Sequence, residues 1–145
     1  DAYHVTRPSG VGAVRALQIA QRTVPYNGLG YINAHATGTG GDAIELRAIS
    51  EVFSPDEIAG ISSTKANIGH LLGAAGAIES IFSIEALRKQ MLPPTLKASQ
   101  DPIPETAAWQ MNYDRAVHAP VDYAVNNSFG FGGLNAVTHW RLLEE

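Results

Sequence analysis

The sequence predicts an α/β fold in which helices cover both faces of a mixed sheet, and three observations carry that prediction. Short apolar runs alternate with longer segments of helical period. One long segment, residues 71–90, is apolar on nearly every side, as suits a helix buried in the middle of a structure. Loops rich in glycine follow the apolar runs, at the carboxyl ends of strands, where open α/β sheets bind ligands.

Residues 1–10 read as a loop. They contain no initiator Met, so a segment upstream is expected. Residues 11–24 set Val14, Leu17, Ile19 and Ala20 against Arg15, Gln18, Gln21 and Arg22, a helical stripe that Pro25 and Asn27-Gly28 end. Residues 29–34, with Tyr31 and Ile32, form a short buried strand, and residues 42–52 a helix. Residues 58–63 are a second strand and 64–69 a polar loop. The helix over 71–90 stops at Pro93-Pro94. Residues 95–120 are an irregular excursion with one short strand near 111–113, and a loop that long points to a function or a partner surface. Residues 121–126 and 136–142 close the fold as a strand pair joined through a turn at 128–133.

The 145 residues suit one domain, residues 1–145. A content of 45% hydrophobic and 17% charged residues is that of a globular chain. The net charge of −4 argues against binding nucleic acid or an anionic membrane, since both need a basic face. The chain has no cysteine, which excludes disulfides, thiolate metal sites and thiol catalysis within it. The longest apolar stretch contains Glu79 and Glu85 and is not a membrane span. No signal peptide is visible, and a cytoplasmic protein is expected.

Three loops stand out. His35-Ala36-Thr37-Gly38-Thr39-Gly40-Gly41 follows a buried strand, and His35 reads either as a histidine satisfied by backbone or as a functional group. Asp42 and Glu45 fit a capping-box variant at the next helix, while Glu45, one turn in, could neutralise a buried lysine. In the second loop Lys65 and His70 precede the buried helix. They are either a surface lysine with a capping histidine, or a charge and a neutral donor held in the field of a helix N-terminus. The Walker glycine pattern is absent. In the third loop, Asn126-Asn127-Ser128-Phe129-Gly130-Phe131-Gly132-Gly133, the two phenylalanines wall or gate an apolar pocket, or else pack on the core.

Taken in order, the loops resemble the β-ketoacyl synthases of the thiolase superfamily. His35-Ala36-Thr37-Gly38-Thr39 with Gly41-Asp42 is similar to the first histidine motif, and Lys65-Ala66-Asn67-Ile68-Gly69-His70 to the lysine and second histidine motif. The stretch from Asn127 to Asn135 resembles the carboxyl-terminal glycine and phenylalanine loop, and Asp1-Ala2-Tyr3-His4 and Pro93-Pro94-Thr95 also match. One departure lies between Thr39 and Gly41-Asp42, where Gly40 stands alone and the loop is one residue short of the family pattern. A thiolase would place a cysteine in this half, and a starter-condensing synthase an asparagine at the position of His70, so the elongating two-histidine group fits.

The resemblance implies the C-terminal half of a thiolase-like fold, a mixed five-stranded sheet whose first strand lies upstream of Asp1. It implies an acyltransferase performing decarboxylative Claisen condensation of an acyl thioester with malonyl carrier protein in fatty acid elongation. His35 and His70 would hold the enolate oxygen, and Lys65, paired with Glu45 as support, would add positive charge. The Phe131 backbone N–H would belong to an oxyanion hole. Thr37 and Thr39 would bind the phosphopantetheine arm, and Phe129 and Phe131 would gate the acyl entrance. No metal and no separate cofactor are implied, since substrates ride on the phosphopantetheine of the acyl carrier protein. The implied partners are the N-terminal half of the same enzyme, which carries the cysteine, the carrier protein, and a second copy in a homodimer. This chain alone would be inactive. Two alternatives are a ketosynthase domain of a polyketide synthase, towards which residues 65–70 lean, and a non-catalytic partner subunit.

Overall fold

The computed structural model describes residues 2–23, 28–96 and 103–143. Its elements are β1 (Ala2–His4), β2 (Arg7–Pro8), α1 (Val11–Thr23), β3 (Gly30–Asn33), α2 (Gly41–Ser50), β4 (Ile58–Ser62), α3 (Lys65–Ile68), α4 (Ala75–Lys89), β5 (Met91–Leu92), β6 (Val117–His118), β7 (Tyr123–Gly130) and β8 (Leu134–Arg141). The main sheet runs β4-β3-β7-β8. β3 pairs in parallel with both β4 and β7, and β8 closes antiparallel on β7. The sheet is thus mixed, and four of the five expected strands fall among the described residues.

Alternation along the central strands sorts the core into two layers, because successive strand residues point to opposite faces. Ile32 and Val125 pack with Ala13 and Leu17 of α1 and with Leu46 and Ile49 of α2. Tyr31 and Ala124 pack on the other face with Ala86 and Leu87 of α4. Helices therefore cover both faces, as expected. Gly30 opens β3 because the chain passes the Tyr123 ring there, and a Cβ would sit 2.4 Å from it.

Several elements differ from expectation. The opening loop is a small antiparallel ribbon, β1 with β2. The polar loop at 64–69 contains a helical turn, α3, with Thr64 and Lys65 buried. The helix expected over 71–90 is broken: a 3₁₀ turn (Leu72–Ala74) precedes α4, whose end is set by Gln90 at φ 52°, before β5 and the prolines. α4 is not buried all round either. Its buried stripe carries Glu79 and Ser83 while Ile81 is exposed, because the polar residues face other polar groups inside the molecule. The strand expected near 111–113 reduces to two isolated bridges, Ile61 with Met111 and Thr95 with Tyr113. Residues 97–102 of the excursion, Pro25 and Asn27, and Asp1 of the Asp1-Ala2-Tyr3-His4 match lie outside the described residues. The closing strands are longer than expected, and the turn between them shrinks to Phe131–Gly133.

Candidate active site

The ends of β3, β4 and β7 converge, as their parallel pairing requires, and bring the three loops together. His35 leaves β3 two residues after Asn33. Its ring meets that of His70 edge to face, with centroids 5.6 Å apart and planes at 83°. The Phe129 ring, near the end of β7, lies 5.9 Å from His35 on another side.

The His35 loop is held by α2 in a way the sequence did not announce. Five consecutive backbone N–H groups donate to two carboxylates of one helix. His35 and Ala36 each donate to Glu45 at 2.8 Å, one to each oxygen. Thr37, Gly38 and Thr39 donate to Asp42 at 3.0, 3.1 and 3.3 Å. These N–H groups would otherwise form an anion-binding nest, and the protein's own acids fill it. The Ser63 hydroxyl donates to the Ala36 carbonyl at 3.0 Å, so β4 also fastens the loop. Asp42 is not an N-cap: Gly40 occupies that position, and the Thr39 hydroxyl accepts the Gly41 N–H at 3.2 Å.

Lys65 is buried, but its partner is not Glu45. Its ammonium pairs with Glu79 of α4 at 2.5 Å, and both side chains are almost wholly enclosed. The expected Lys65–Glu45 pair is therefore replaced by Lys65–Glu79. Glu45 spends both oxygens on loop N–H groups and a third contact on Asn127, whose Nδ2 donates to Oε1 at 2.9 Å. Burial pushes the Glu45 carboxyl up, and the donors from Ala36, Asn127 and His35 pull it back. Burial likewise pushes the Glu79 carboxyl up, opposed by Lys65.

His35 is lowered to about 4, first by burial and then by the neighbouring Lys65 and His70. It is a neutral imidazole at physiological pH. His70 is not at a helix N-terminus as expected: it lies between α3 and the 3₁₀ turn, after Gly69 at φ 81°. Its Nδ1 accepts the Leu72 N–H at 3.2 Å, which places the proton of the neutral ring on Nε2. Thr37, Thr39, Glu45, Lys65 and His70 line a cavity of about 610 Å³. The Thr37 and Thr39 hydroxyls lie 3.1 Å apart in its exposed part. Phe131 sits on the turn, 75% exposed, and the Gly132 N–H ties that turn to the Val5 carbonyl. The sequence reading missed Asn127 and Glu79 as parts of the site. An acid, Glu79, within the apolar first half of α4, downstream of a lysine in a loop of small residues, was the available signal.

Residues 1–99 match the family model described as "Beta-ketoacyl synthase, C-terminal domain". The chain belongs to the β-ketoacyl synthase family. Over 94% of its length it is 45% identical to the 3-oxoacyl-[acyl-carrier-protein] synthase 2 of Rhizobium meliloti (strain 1021), covering 33% of that protein. It is 46% identical over the same share to the mitochondrial 3-oxoacyl-[acyl-carrier-protein] synthase of Arabidopsis thaliana, covering 31% of it. Among solved structures, 99% of the chain superposes on a β-ketoacyl synthase from Burkholderia phymatum STM815 with a TM-score of 0.87 and 33% identity, covering 35% of that chain. A ketosynthase solved in complex with a type II polyketide acyl carrier protein gives 0.86 and 29%, with 99% of this chain and 36% of that one covered. The chain thus spans about a third of the length of the curated relatives it matches. No helix among the described residues is long and apolar enough to cross a membrane.

Proposed function

We propose that this chain supplies the histidine side of a β-ketoacyl synthase site, which joins an acyl thioester to malonyl carrier protein by decarboxylative Claisen condensation in fatty acid elongation. The observation that carries the reading is the edge-to-face His35–His70 pair beside a buried Lys65, with Lys65 and His70 lining a half-open cavity. When a malonyl thioester loses carbon dioxide, the electron pair of the broken C–C bond passes onto the thioester oxygen. An enolate forms, and its stability sets the rate. Two imidazoles donating N–H to that oxygen stabilise it. The enolate carbon then attacks the acyl thioester, and the thiolate leaves. A neutral His35 suits a donor already protonated, and its lowered pKa makes it a poor proton acceptor at pH 7.

The thiolate that carries the acyl chain comes from outside these residues, because the chain has no cysteine. In this reading it belongs to an N-terminal half of the same enzyme, and the full protein is a cytoplasmic homodimer. Thr37 and Thr39 hold the phosphopantetheine arm of an acyl carrier protein, and no separate cofactor takes part. Phe129 and Phe131 gate the acyl entrance, and the Phe131 backbone N–H joins that of the cysteine in a second oxyanion hole. The second reading, a polyketide ketosynthase, is favoured by the structural likeness to a bacillaene synthase ketosynthase, at a TM-score of 0.83 and 30% identity. A non-catalytic subunit is disfavoured by the presence of His35, Lys65 and His70 together.

The test is reconstitution. The purified chain is assayed for condensation alone and then with a cysteine-bearing N-terminal segment from a relative. Activity only in the mixture supports the reading, and condensation by the chain alone refutes it. Acyl and malonyl thioesters on fatty acid and on polyketide carrier proteins separate the two pathways.

A further inference from the structure

We infer that Asn127 is a positioning residue for His35, acting through Glu45 and coupling the end of β7 to the histidine loop. The inference rests on the functional reading above for what His35 does, but its geometry stands by itself. Asn127 is fully buried in β7, and its Nδ2 donates to Glu45 Oε1 at 2.9 Å. The same oxygen accepts the His35 N–H at 2.8 Å, and the other oxygen accepts the Ala36 N–H. The Asn127 Oδ1 accepts no hydrogen bond among the described residues, so the contact with Glu45 orients the amide. Two residues further along the same strand, Phe129 touches the His35 ring. One strand therefore fixes His35 twice: at its backbone through Asn127 and Glu45, and at its ring through Phe129.

Glu45 is a buried carboxylate with no cation bonded to it among the described residues. Burial pushes its carboxyl up and the three donors pull it back, and in its ionised form it accepts from both loop amides at once. The charged and titratable groups that face it are Asp42 on its own helix, His35 on the loop it holds, and Lys65 and His70 around the shared cavity. β7 contributes only the neutral Asn127. Removing that donor leaves Glu45 easier to protonate, and a protonated carboxyl gives up one of its acceptor positions. The His35 amide is then released at a pH where the native chain still holds it.

The experiment follows the His35 and Ala36 amide resonances of the ¹⁵N-labelled 145-residue chain against pH in the native protein, Asn127→Leu and Asn127→Asp. In Asn127→Leu the pH of release rises by about one to two units, the worth of one hydrogen bond to a charged group. In Asn127→Asp the pair holds the loop while it shares one proton and lets it go at high pH, when both carboxyls ionise. That high-pH release is absent from the native chain and from Asn127→Leu, and a merely structural asparagine would not produce it. An unchanged release pH in folded Asn127→Leu overturns the inference. Should Asn127→Leu fail to fold, the Asn127→Asp arm decides: release at high pH supports the inference, and its absence overturns it. If the amides respond as described while decarboxylation by the reconstituted site does not change, the relay stands and the catalytic reading fails.

Discussion

At the scale of single residues, the site depends on which groups are kept neutral and which are kept charged. His35 is neutral because it is buried beside positive charge. Its NMR titration is expected to have a midpoint near 4, and a midpoint near 6.5 would contradict the environment described. His139, half-buried and edge-on against Tyr123, is also lowered to about 4, mainly by desolvation, and behaves alike. The sign of the stability effect follows by linkage. Between about 4 and 6.5 the unfolded chain binds protons at these histidines that the folded chain does not, so stability rises with pH across that window. It is fully present above 6.5 and is lost as pH falls towards 4. Glu45 and Glu79, raised by burial, act with the opposite sign above the usual carboxylate range. Urea midpoints of the native chain and His139→Gln at pH 7 and pH 5 isolate one histidine: the variant loses less stability on acidification. The Lys65–Glu79 pair gives a second expectation. Glu79→Gln leaves an enclosed ammonium without its counter-charge and costs about 3–5 kcal/mol of unfolding free energy, while Lys65→Met with Glu79→Leu recovers most of it.

At the scale of elements, helical and strand periods made α1, β3, α2 and β4 legible to within a residue or two. Periodicity records which face of an element is apolar, and it did so for α1, where Leu17 is fully buried. Leu17→Ala is expected to cost about 3 kcal/mol by denaturant unfolding, as a cavity under a helix does. Gly30→Ala forces the Tyr123 ring aside and lowers the unfolding midpoint, whereas Gly38→Ala, at positive φ but with open space around its Cβ, costs only local strain. What periodicity could not tell was which acid meets Lys65. Glu45 and Glu79 are both buried acids on helices, and the choice depends on which side of the sheet each helix packs. The short α3 and the break before α4 were illegible for a related reason. Gly69 and the positive φ of Leu72 are local backbone solutions that no stripe of apolar residues predicts. Asp42 and Glu45 looked like helix caps because capping and loop-holding use the same residues at the same spacing. Only the fold shows that their oxygens point back to residues 35–39.

At the scale of the whole molecule, the three loops that were unusual in the sequence meet at one edge of one sheet. The family motifs preserved that order, so the site was more legible than the packing that holds it. Its centre is the His35–His70 ring pair beside the buried Lys65. The central claim is that His35 and His70 stabilise an enolate. The most direct test is the rate of malonyl decarboxylation in the reconstituted site, with native chain, His35→Ala and His70→Ala, each checked for folding. Loss of one donor to the oxyanion is expected to lower that rate by about 10²–10³-fold, with malonyl thioester still bound. A decarboxylation rate in His70→Ala equal to that of the native chain would contradict the account.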